Sequence, residues 1–167
     1  MRRIFSCAYL LFLLAALAVL AGCSGNRLDM VADELTALVN AERNLLGLQV
    51  LQPNKAAQKV ALEKAKEMEE LGYFGHESPL QGDVVAQFEV WGHVQMPRDA
   101  LALGENLAMA RGIAEKDITA DLFLQGWLES DGHRNNLLYP DFNGQGIALF
   151  PGKDGKVYAV QELIQTP

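Results

Sequence analysis

The order of the hydrophobic patterns along the chain is the feature that most restricts its fold. Through most of the first two thirds of the 167-residue sequence, apolar residues recur at three- and four-residue steps, a spacing typical of amphipathic helices. Two apolar, β-prone runs, residues 146–150 and 156–164, come only near the end, and the loop between them contains Asp154-Gly155. That dipeptide favours a reversal of the chain. The sequence therefore predicts an α+β fold in which helices cover an antiparallel sheet.

Four segments have helical spacing, and they cover about residues 29–46, 55–71, 84–91 and 115–129. Asp29 and Asn54 are the expected N-caps of the first two helices. Arg43 lies outside the apolar stripe of the first helix. In the second helix the charged residues, Lys64 and Glu67 among them, are expected to form a solvated face opposite a row of alanines.

The N-terminus has the pattern of an export signal. Arg2 and Arg3 precede a long apolar run that ends in Leu20-Ala21-Gly22-Cys23. This ending resembles the lipobox of bacterial lipoprotein signal peptides, which implies cleavage before Cys23 and diacylation of its thiol. An uncleaved transmembrane anchor is the alternative, because the apolar run is only just short of a bilayer crossing. Both interpretations place the domain outside the cytoplasm.

These boundaries predict a signal peptide over residues 1–22, a lipidated Cys23 with a short linker to residue 28, and one domain over residues 29–167. Cys7 and Cys23 are the only cysteines, so the domain contains none and must be held together by its core rather than by disulfides. The net charge of −7 becomes −9 once the two arginines of the signal are removed. This acidity argues against nucleic-acid binding and against a polybasic membrane patch, which leaves the lipid on Cys23 as the expected membrane contact.

Three short polar segments between apolar runs contain the candidate functional residues. They are residues 74–79 (Phe-Gly-His-Glu-Ser-Pro), residues 104–106 (Gly-Glu-Asn) and residues 127–136 (Trp-Leu-Glu-Ser-Asp-Gly-His-Arg-Asn-Asn). In this order, and behind a helix that contains Leu38-Val39-Asn40-Ala41-Glu42-Arg43, they resemble the CAP superfamily of cysteine-rich secretory proteins, antigen 5 and pathogenesis-related proteins. The resemblance covers about residues 30–163 and is greatest to the bacterial, disulfide-free branch. It implies a three-layer α-β-α sandwich with a central antiparallel sheet.

The resemblance also implies a cleft with two histidines and two acidic residues, in which some family members bind a divalent metal through the histidines. The first histidine corresponds to His76, the first acid to Glu105 and the second histidine to His133. Family members with the second acid have it three residues after the Trp, where this chain has Ser130, and Glu129 would point about 100° away from that direction on a helix. The implied ligand site is therefore His76, Glu105, Ser130 and His133, with His76 and His133 as candidate ligands of Zn²⁺ or another divalent metal.

Three functions remain open from these residues. The first is an envelope lipoprotein, in the outer membrane if the host has one, whose cleft binds a metal ion, a small molecule, a lipid or a protein partner. The second is a metal-dependent hydrolase of peptides or envelope polymers with Glu105 as general base; Ser78 and Ser130 lack the strand-turn-helix setting of a hydrolase nucleophile. The third is a non-catalytic scaffold in which Glu105 forms only a buried hydrogen bond. Of the three, the sequence favours binding.

Overall fold

The structure is a computed structural model that describes residues 27–167. The predicted signal peptide and Cys23 lie outside the described residues. The helices are α1 (Arg27–Leu45), α2 (Lys55–Leu71), α3 (Val84–Gln87, continued by a π-helical turn over Phe88–Gly92), α4 (Ala120–Glu129) and α5 (Asp131–Leu137). The strands are β1 (Gln52–Pro53), β2 (Ala102–Arg111), β3 (Gly144–Pro151) and β4 (Lys156–Gln165). Within residues 27–167, no helix combines the length and the apolar character needed to cross a membrane.

The four strands form one sheet in the order β1-β3-β4-β2. Strands β3 and β4 pair antiparallel, as the predicted hairpin requires, and β2 pairs antiparallel with the other side of β4. The two-residue β1 runs parallel to β3, so the sheet is mixed rather than purely antiparallel. The sequence did not predict β2 as a strand, because the polar residues Glu105 and Asn106 interrupt its apolar pattern. It is this strand that places Glu105 near one edge of the sheet.

Helices cover both faces of the sheet, which confirms the three-layer sandwich. On one face α2 packs through Ala61, Ala65 and Met68 against Ala148 of β3 and Val160 of β4. The small alanine side chains let α2 lie close to the strands. On the opposite face α1 and α4 form the larger core, whose buried members include Leu35, Val39, Phe123, Trp127, Ile147 and Leu163. Alternate residues of β3 and β4 therefore contribute to two separate cores.

Some helix ends agree with the predictions and others do not. The Asn54 side chain accepts a hydrogen bond from the Ala57 backbone N–H, as predicted for an N-cap. Helix α1 already includes Arg27, so Asp29 lies in its first turn and is not its N-cap. The fourth predicted helix begins at Ala120, because residues 115–117 form a separate 3₁₀ turn and Thr119 is the N-cap.

Three charged side chains that lie outside the predicted apolar faces are buried. Arg43 and Lys64 are fully buried, and Glu67 is 7% exposed. The prediction of a solvated charged face on α2 is therefore wrong at these two positions of that helix. Each of the three side chains has hydrogen-bond partners outside its own helix, which offset the free-energy cost of removing a charge from water. Helical spacing alone does not show that such partners exist.

Candidate functional site

Three of the four predicted site residues come together at the β2 edge of the sheet. His76 lies in the loop after α2, Glu105 lies in β2, and His133 lies in α5. The Nδ1 atom of His76 is 2.7 Å from Oε1 of Glu105. The imidazole rings of His76 and His133 have centroids 6.3 Å apart and planes inclined by 51°. The two histidines and the acid therefore form one cluster, although 57 residues of sequence separate His76 from His133.

Buried polar side chains hold the backbone at His76 in place. Its carbonyl oxygen accepts hydrogen bonds from Nζ of Lys64, at 2.6 Å, and from Nε2 of Gln87, at 2.8 Å. Lys64 belongs to α2 and Gln87 to α3, so the carbonyl is held from two helices. Burial lowers the pKa of Lys64, while the neighbouring carboxyl groups oppose that shift. Neither Lys64 nor Gln87 was predicted as part of the site.

Glu67 of α2 anchors the same loop on either side of His76. Its carboxylate accepts a hydrogen bond from the Tyr73 hydroxyl and another, at 2.9 Å, from Oγ of Ser78. Burial, together with the bond to the Glu67 carboxylate, raises the pKa of the Tyr73 phenol. Ser78 in turn accepts hydrogen bonds from the backbone N–H groups of residues 80 and 81. The loop is thus attached to α2 at three points, and its histidine is held in a defined place without a disulfide.

Two asparagines connect α5, and with it His133, to β2. Nδ2 of Asn106 donates to the His133 carbonyl at 3.1 Å and to Oε1 of Gln161 at 2.8 Å. Nδ2 of Asn136 donates to the Glu105 carbonyl at 3.0 Å and to Oδ1 of Asn106 at 3.2 Å. These bonds fix the start of α5 relative to the strand that contains Glu105. The distance between the two histidines is therefore set by the fold and not by a direct contact between them.

A cleft of about 360 Å³ opens beside the cluster. Its lining residues are His76, Glu77, Asp83, Val84, Leu103, Gly104, Glu105 and Asn136. Three of them are acidic, and Val84 with Leu103 forms an apolar wall. Ser130 lies outside this lining, at the junction of α4 and α5, and Glu129 is exposed at the end of α4. The ring of His133 is close to that of His76, but His133 is not part of the lining itself.

The two histidines have opposite electrostatic surroundings. The hydrogen bond to Glu105 raises the pKa of His76 above its ordinary value, although burial partly opposes this. Burial lowers the pKa of His133, and the nearby His76 lowers it further. The His76 side chain is 62% exposed, whereas that of Glu105 is only 3% exposed. Glu105 therefore presents little of its side chain to the cleft, and its Oε1 atom is engaged by His76.

An NMR titration of the histidine side chains is expected to show this difference. In the metal-free domain His76 should titrate above pH 6.5 and His133 below it. Because the folded-state pKa of His76 is raised, the pair with Glu105 stabilises the fold most at pH values below 6.5, and this contribution is lost as the pH rises through the folded-state pKa. Glu105→Gln removes the negative charge and should lower the pKa of His76. An unchanged His76 titration in that variant would contradict the assigned pair.

The structure adds Glu162, which the sequence prediction missed. It lies in β4 directly opposite Glu105 of β2 and is fully buried. Burial and the neighbouring Glu105 carboxyl raise its pKa well above the ordinary value. A signal was present in the sequence, because Gln161-Glu162 interrupts an otherwise apolar strand. The pattern could not identify a partner, since the pairing of β2 with β4 is visible only in the fold.

This arrangement agrees with the comparison with known families. Residues 36–163 match the model of the family described as "CAP: Cysteine-rich secretory protein family". The chain belongs to this family. The match extends from α1 to β4 and so includes the His76 loop, β2 and α5. The resemblance inferred from the three sequence motifs is confirmed.

Bacterial CAP proteins are among the relatives. The chain is 32% identical over 128 residues to YkwD of Bacillus subtilis, an alignment that covers 77% of this chain and 45% of that protein. It is also 32% identical over 125 residues to the membrane protein YlbC of the same species, covering 75% of this chain and 32% of YlbC. An extracellular SCP-domain protein of Bacillus anthracis superposes with a TM-score of 0.70 at 28% identity, covering 83% of this chain and 41% of that one. The chain thus spans less than half the length of these relatives, which are extracellular or membrane proteins where their names specify a place.

Proposed function

We propose that this chain is a cell-envelope lipoprotein whose CAP domain binds a divalent metal ion, and through that ion a ligand, at His76 and His133. The observation that carries the proposal is the hydrogen bond between Nδ1 of His76 and Glu105. It leaves Nε2 of a largely exposed imidazole available as a ligand. Metal-binding histidines commonly donate their second ring N–H to a carboxylate in this way, which fixes the tautomer and increases the basicity of the binding nitrogen.

The proposal requires the two imidazoles to share one ion. With Zn–N bonds of about 2.0–2.1 Å and tetrahedral angles, two imidazole centroids on one zinc ion lie about 5 Å apart. The observed separation is 6.3 Å, so the two rings would have to approach each other by about 1 Å when an ion binds. Within residues 27–167 there is no group of three or more His, Cys, Asp or Glu residues arranged to hold a metal ion. The site would therefore contribute two protein ligands and leave the other coordination positions to water or a bound molecule.

The size and the charge of the cleft favour a small or narrow ligand that has a positively charged part. Its volume of about 360 Å³ is at the lower end of the range for small-molecule sites. Glu77 and Asp83 add negative charge to the lining, and Leu103 with Val84 offers an apolar surface. A bound divalent ion would act as a Lewis acid toward an oxygen atom of such a ligand. A general-base role for Glu105 has no separate support, because its side chain is nearly buried and one oxygen is bonded to His76.

Zinc is expected to raise the unfolding temperature of the purified domain, since an ion that binds only the folded state stabilises it by mass action. At a zinc concentration 100 times the dissociation constant, the increase in unfolding free energy is about 2.7 kcal/mol. The double variant His76→Ala, His133→Ala should lose this increase. His93→Ala is the matched control, because His93 is exposed and lies outside the cluster. The absence of a zinc effect in the wild-type domain, or its persistence in the double variant, would contradict the metal site.

Anchoring through Cys23 is proposed from the residues Leu20-Ala21-Gly22-Cys23, and it is compatible with extracellular and membrane relatives. Cys23→Ala should release the protein from the membrane fraction and remove the mass of the lipid in mass spectrometry. Cys7→Ala is the control, because Cys7 lies within the predicted signal and is removed with it. A Cys23→Ala protein that stays in the membrane fraction with unchanged processing would argue for the uncleaved anchor instead.

A further inference from the structure

We infer that Glu162 is a positioning residue for the site: as a neutral carboxylic acid it donates a hydrogen bond to Glu105 and thereby holds the carboxylate that binds His76. The inference deepens the proposed function, because it concerns the same histidine. No sequence motif pointed to this residue.

The two glutamates are direct neighbours across the sheet. Glu105 of β2 is paired with Glu162 of β4, and both side chains lie on the face covered by α2. Side chains directly opposite in antiparallel strands have Cβ atoms about 4.5–5.5 Å apart, so the two carboxyl groups are within reach of each other. On the other side of Glu162 the paired residue is Gly146, which has no side chain to offer a partner. Glu105 is therefore the cross-strand partner available to Glu162.

Three carboxyl oxygens at this contact have no conventional donor. They are Oε2 of Glu105 and both oxygens of Glu162, and all three are buried without a hydrogen-bond partner in the described part of the chain. Two ionised carboxylates side by side would each be desolvated and would repel each other. One shared proton removes the repulsion and leaves a single buried charge, and it also supplies a hydrogen bond, because a protonated carboxyl group donates and an ionised one accepts.

The surroundings decide which glutamate carries the proton. Glu105 already accepts a hydrogen bond at Oε1 from the His76 ring, so one of its two oxygens has a donor. Glu162 is fully buried and has no such donor. Lys64 does not supply one, because the hydrogen bond that its ammonium group makes is to the His76 carbonyl. The raised pKa of Glu162 follows from the same burial and from the same neighbour.

This arrangement has a consequence for His76. The Glu105–Glu162 pair has one negative charge, and both Glu105 oxygens are engaged, Oε1 by His76 and Oε2 by Glu162. The carboxylate is then fixed toward Nδ1 of His76, which keeps the proton on Nδ1 and leaves Nε2 free for a ligand. Without the hydrogen bond from Glu162, Oε2 of Glu105 would be buried and unsatisfied, and the carboxyl group would gain by turning away from His76.

Three variants of Glu162 and one control test the inference. Glu162→Gln keeps the shape and offers an amide N–H to Glu105, whereas Glu162→Leu removes the donor. Glu162→Asp keeps the acid but withdraws it by one methylene group. Val160→Ala is the control for a weakened core, since Val160 is fully buried two residues away on the same face of β4. The two measurements are the NMR signal of the hydrogen-bonded Nδ1–H proton of His76 in the metal-free domain and the affinity for zinc chloride by calorimetry.

We expect Glu162→Gln to keep the His76 signal and to bind zinc within about threefold of wild type. Glu162→Leu and Glu162→Asp should lose the signal and bind zinc at least about tenfold more weakly, the usual effect of removing such a supporting group. Val160→Ala should lower the unfolding temperature and change neither measurement. Wild-type behaviour of Glu162→Leu or Glu162→Asp, or loss of the signal in Glu162→Gln, would overturn the inference. If the wild-type domain binds no zinc, the metal site is refuted, while the His76 signal of the metal-free variants still decides the role of Glu162.

Discussion

Replacing Arg43 with methionine is expected to lower the free energy of unfolding by about 3–5 kcal/mol. The fully buried guanidinium group donates hydrogen bonds of 2.8–3.2 Å to four backbone carbonyls, those of Gln49, Leu137, Tyr139 and Phe142. Methionine keeps the apolar stem but has no donor, so all four carbonyls would lose the hydrogen bond from the guanidinium, although that of Phe142 keeps another from Nε2 of Gln49. The planar, multidentate guanidinium is required here, and Arg43→Lys should recover only part of the loss.

The effect of Arg43 should extend to the site. Three of the four carbonyls lie in residues 137–142, the segment that links α5 to β3, and α5 contains His133. Urea unfolding of the variants, with zinc binding measured on the folded fraction, checks both effects. Arg111→Met is the control, because Arg111 is exposed on β2 and a surface change of this kind costs within about 0.5 kcal/mol. Equal unfolding free energies for Arg43→Met and Arg111→Met would contradict the role assigned to the buried guanidinium.

Local signals in the sequence predicted a large part of the fold. Asn54 marks the start of α2 in the sequence and in the structure, and Gly72, directly after its last residue, has the positive φ of 69° that is common where helices end. The hairpin of β3 and β4 follows from two apolar runs around a turn that contains Asp154-Gly155. These features depend on residues within a few positions of each other. The assembly of His76, Glu105 and His133 could be predicted only through the resemblance to a family, because it brings together three distant segments.

The missed features all depend on contacts between distant segments. Lys64 and Glu67 look like solvated helix charges, and only the position of the His76 loop shows that both have buried partners. Strand β2 is formed because β4 pairs with it along its whole length, although its own pattern is interrupted at Glu105. The environment of Glu162 likewise depends on the register of that pairing. The spacing of apolar residues in a helix or strand predicts which of its faces is buried. It does not predict which groups pack against that face.

Several of the contacts that hold the site in place are made by α2. That helix contributes Lys64 to the His76 carbonyl and Glu67 to the rest of the loop, and it covers the carboxyl pair of Glu105 and Glu162. Its distance from the sheet therefore determines the geometry of the loop as well as the packing of the core. The closest approach is at Gly146 of β3, where an added Cβ atom would overlap the backbone of α2 at residues 57 and 58. A backbone cannot move aside as a side chain can.

Gly146→Ala is therefore expected to destabilise the domain by at least about 3 kcal/mol, the upper part of the range for an overpacked core. The start of α2 would have to move away from β3, which also weakens the bonds from Lys64 and Glu67 to the His76 loop. Gly126→Ala is the matched control, because Gly126 lies in α4 and an added Cβ there meets no atom within 4 Å. Alanine is a better helix former than glycine, so this control should be stabilised by up to about 1 kcal/mol.

Thermal unfolding and zinc titration of the two glycine variants distinguish a local clash from a general intolerance of larger residues. The expected result is a lower unfolding temperature and weaker zinc binding for Gly146→Ala, with wild-type zinc binding and an equal or higher unfolding temperature for Gly126→Ala. If Gly146→Ala were as stable as wild type, α2 could not lie as close to β3 as the structure has it. If the variant were unstable but bound zinc as wild type does, the position of α2 would not control the His76 loop, and the loop would have to be held chiefly through Gln87 and Glu105.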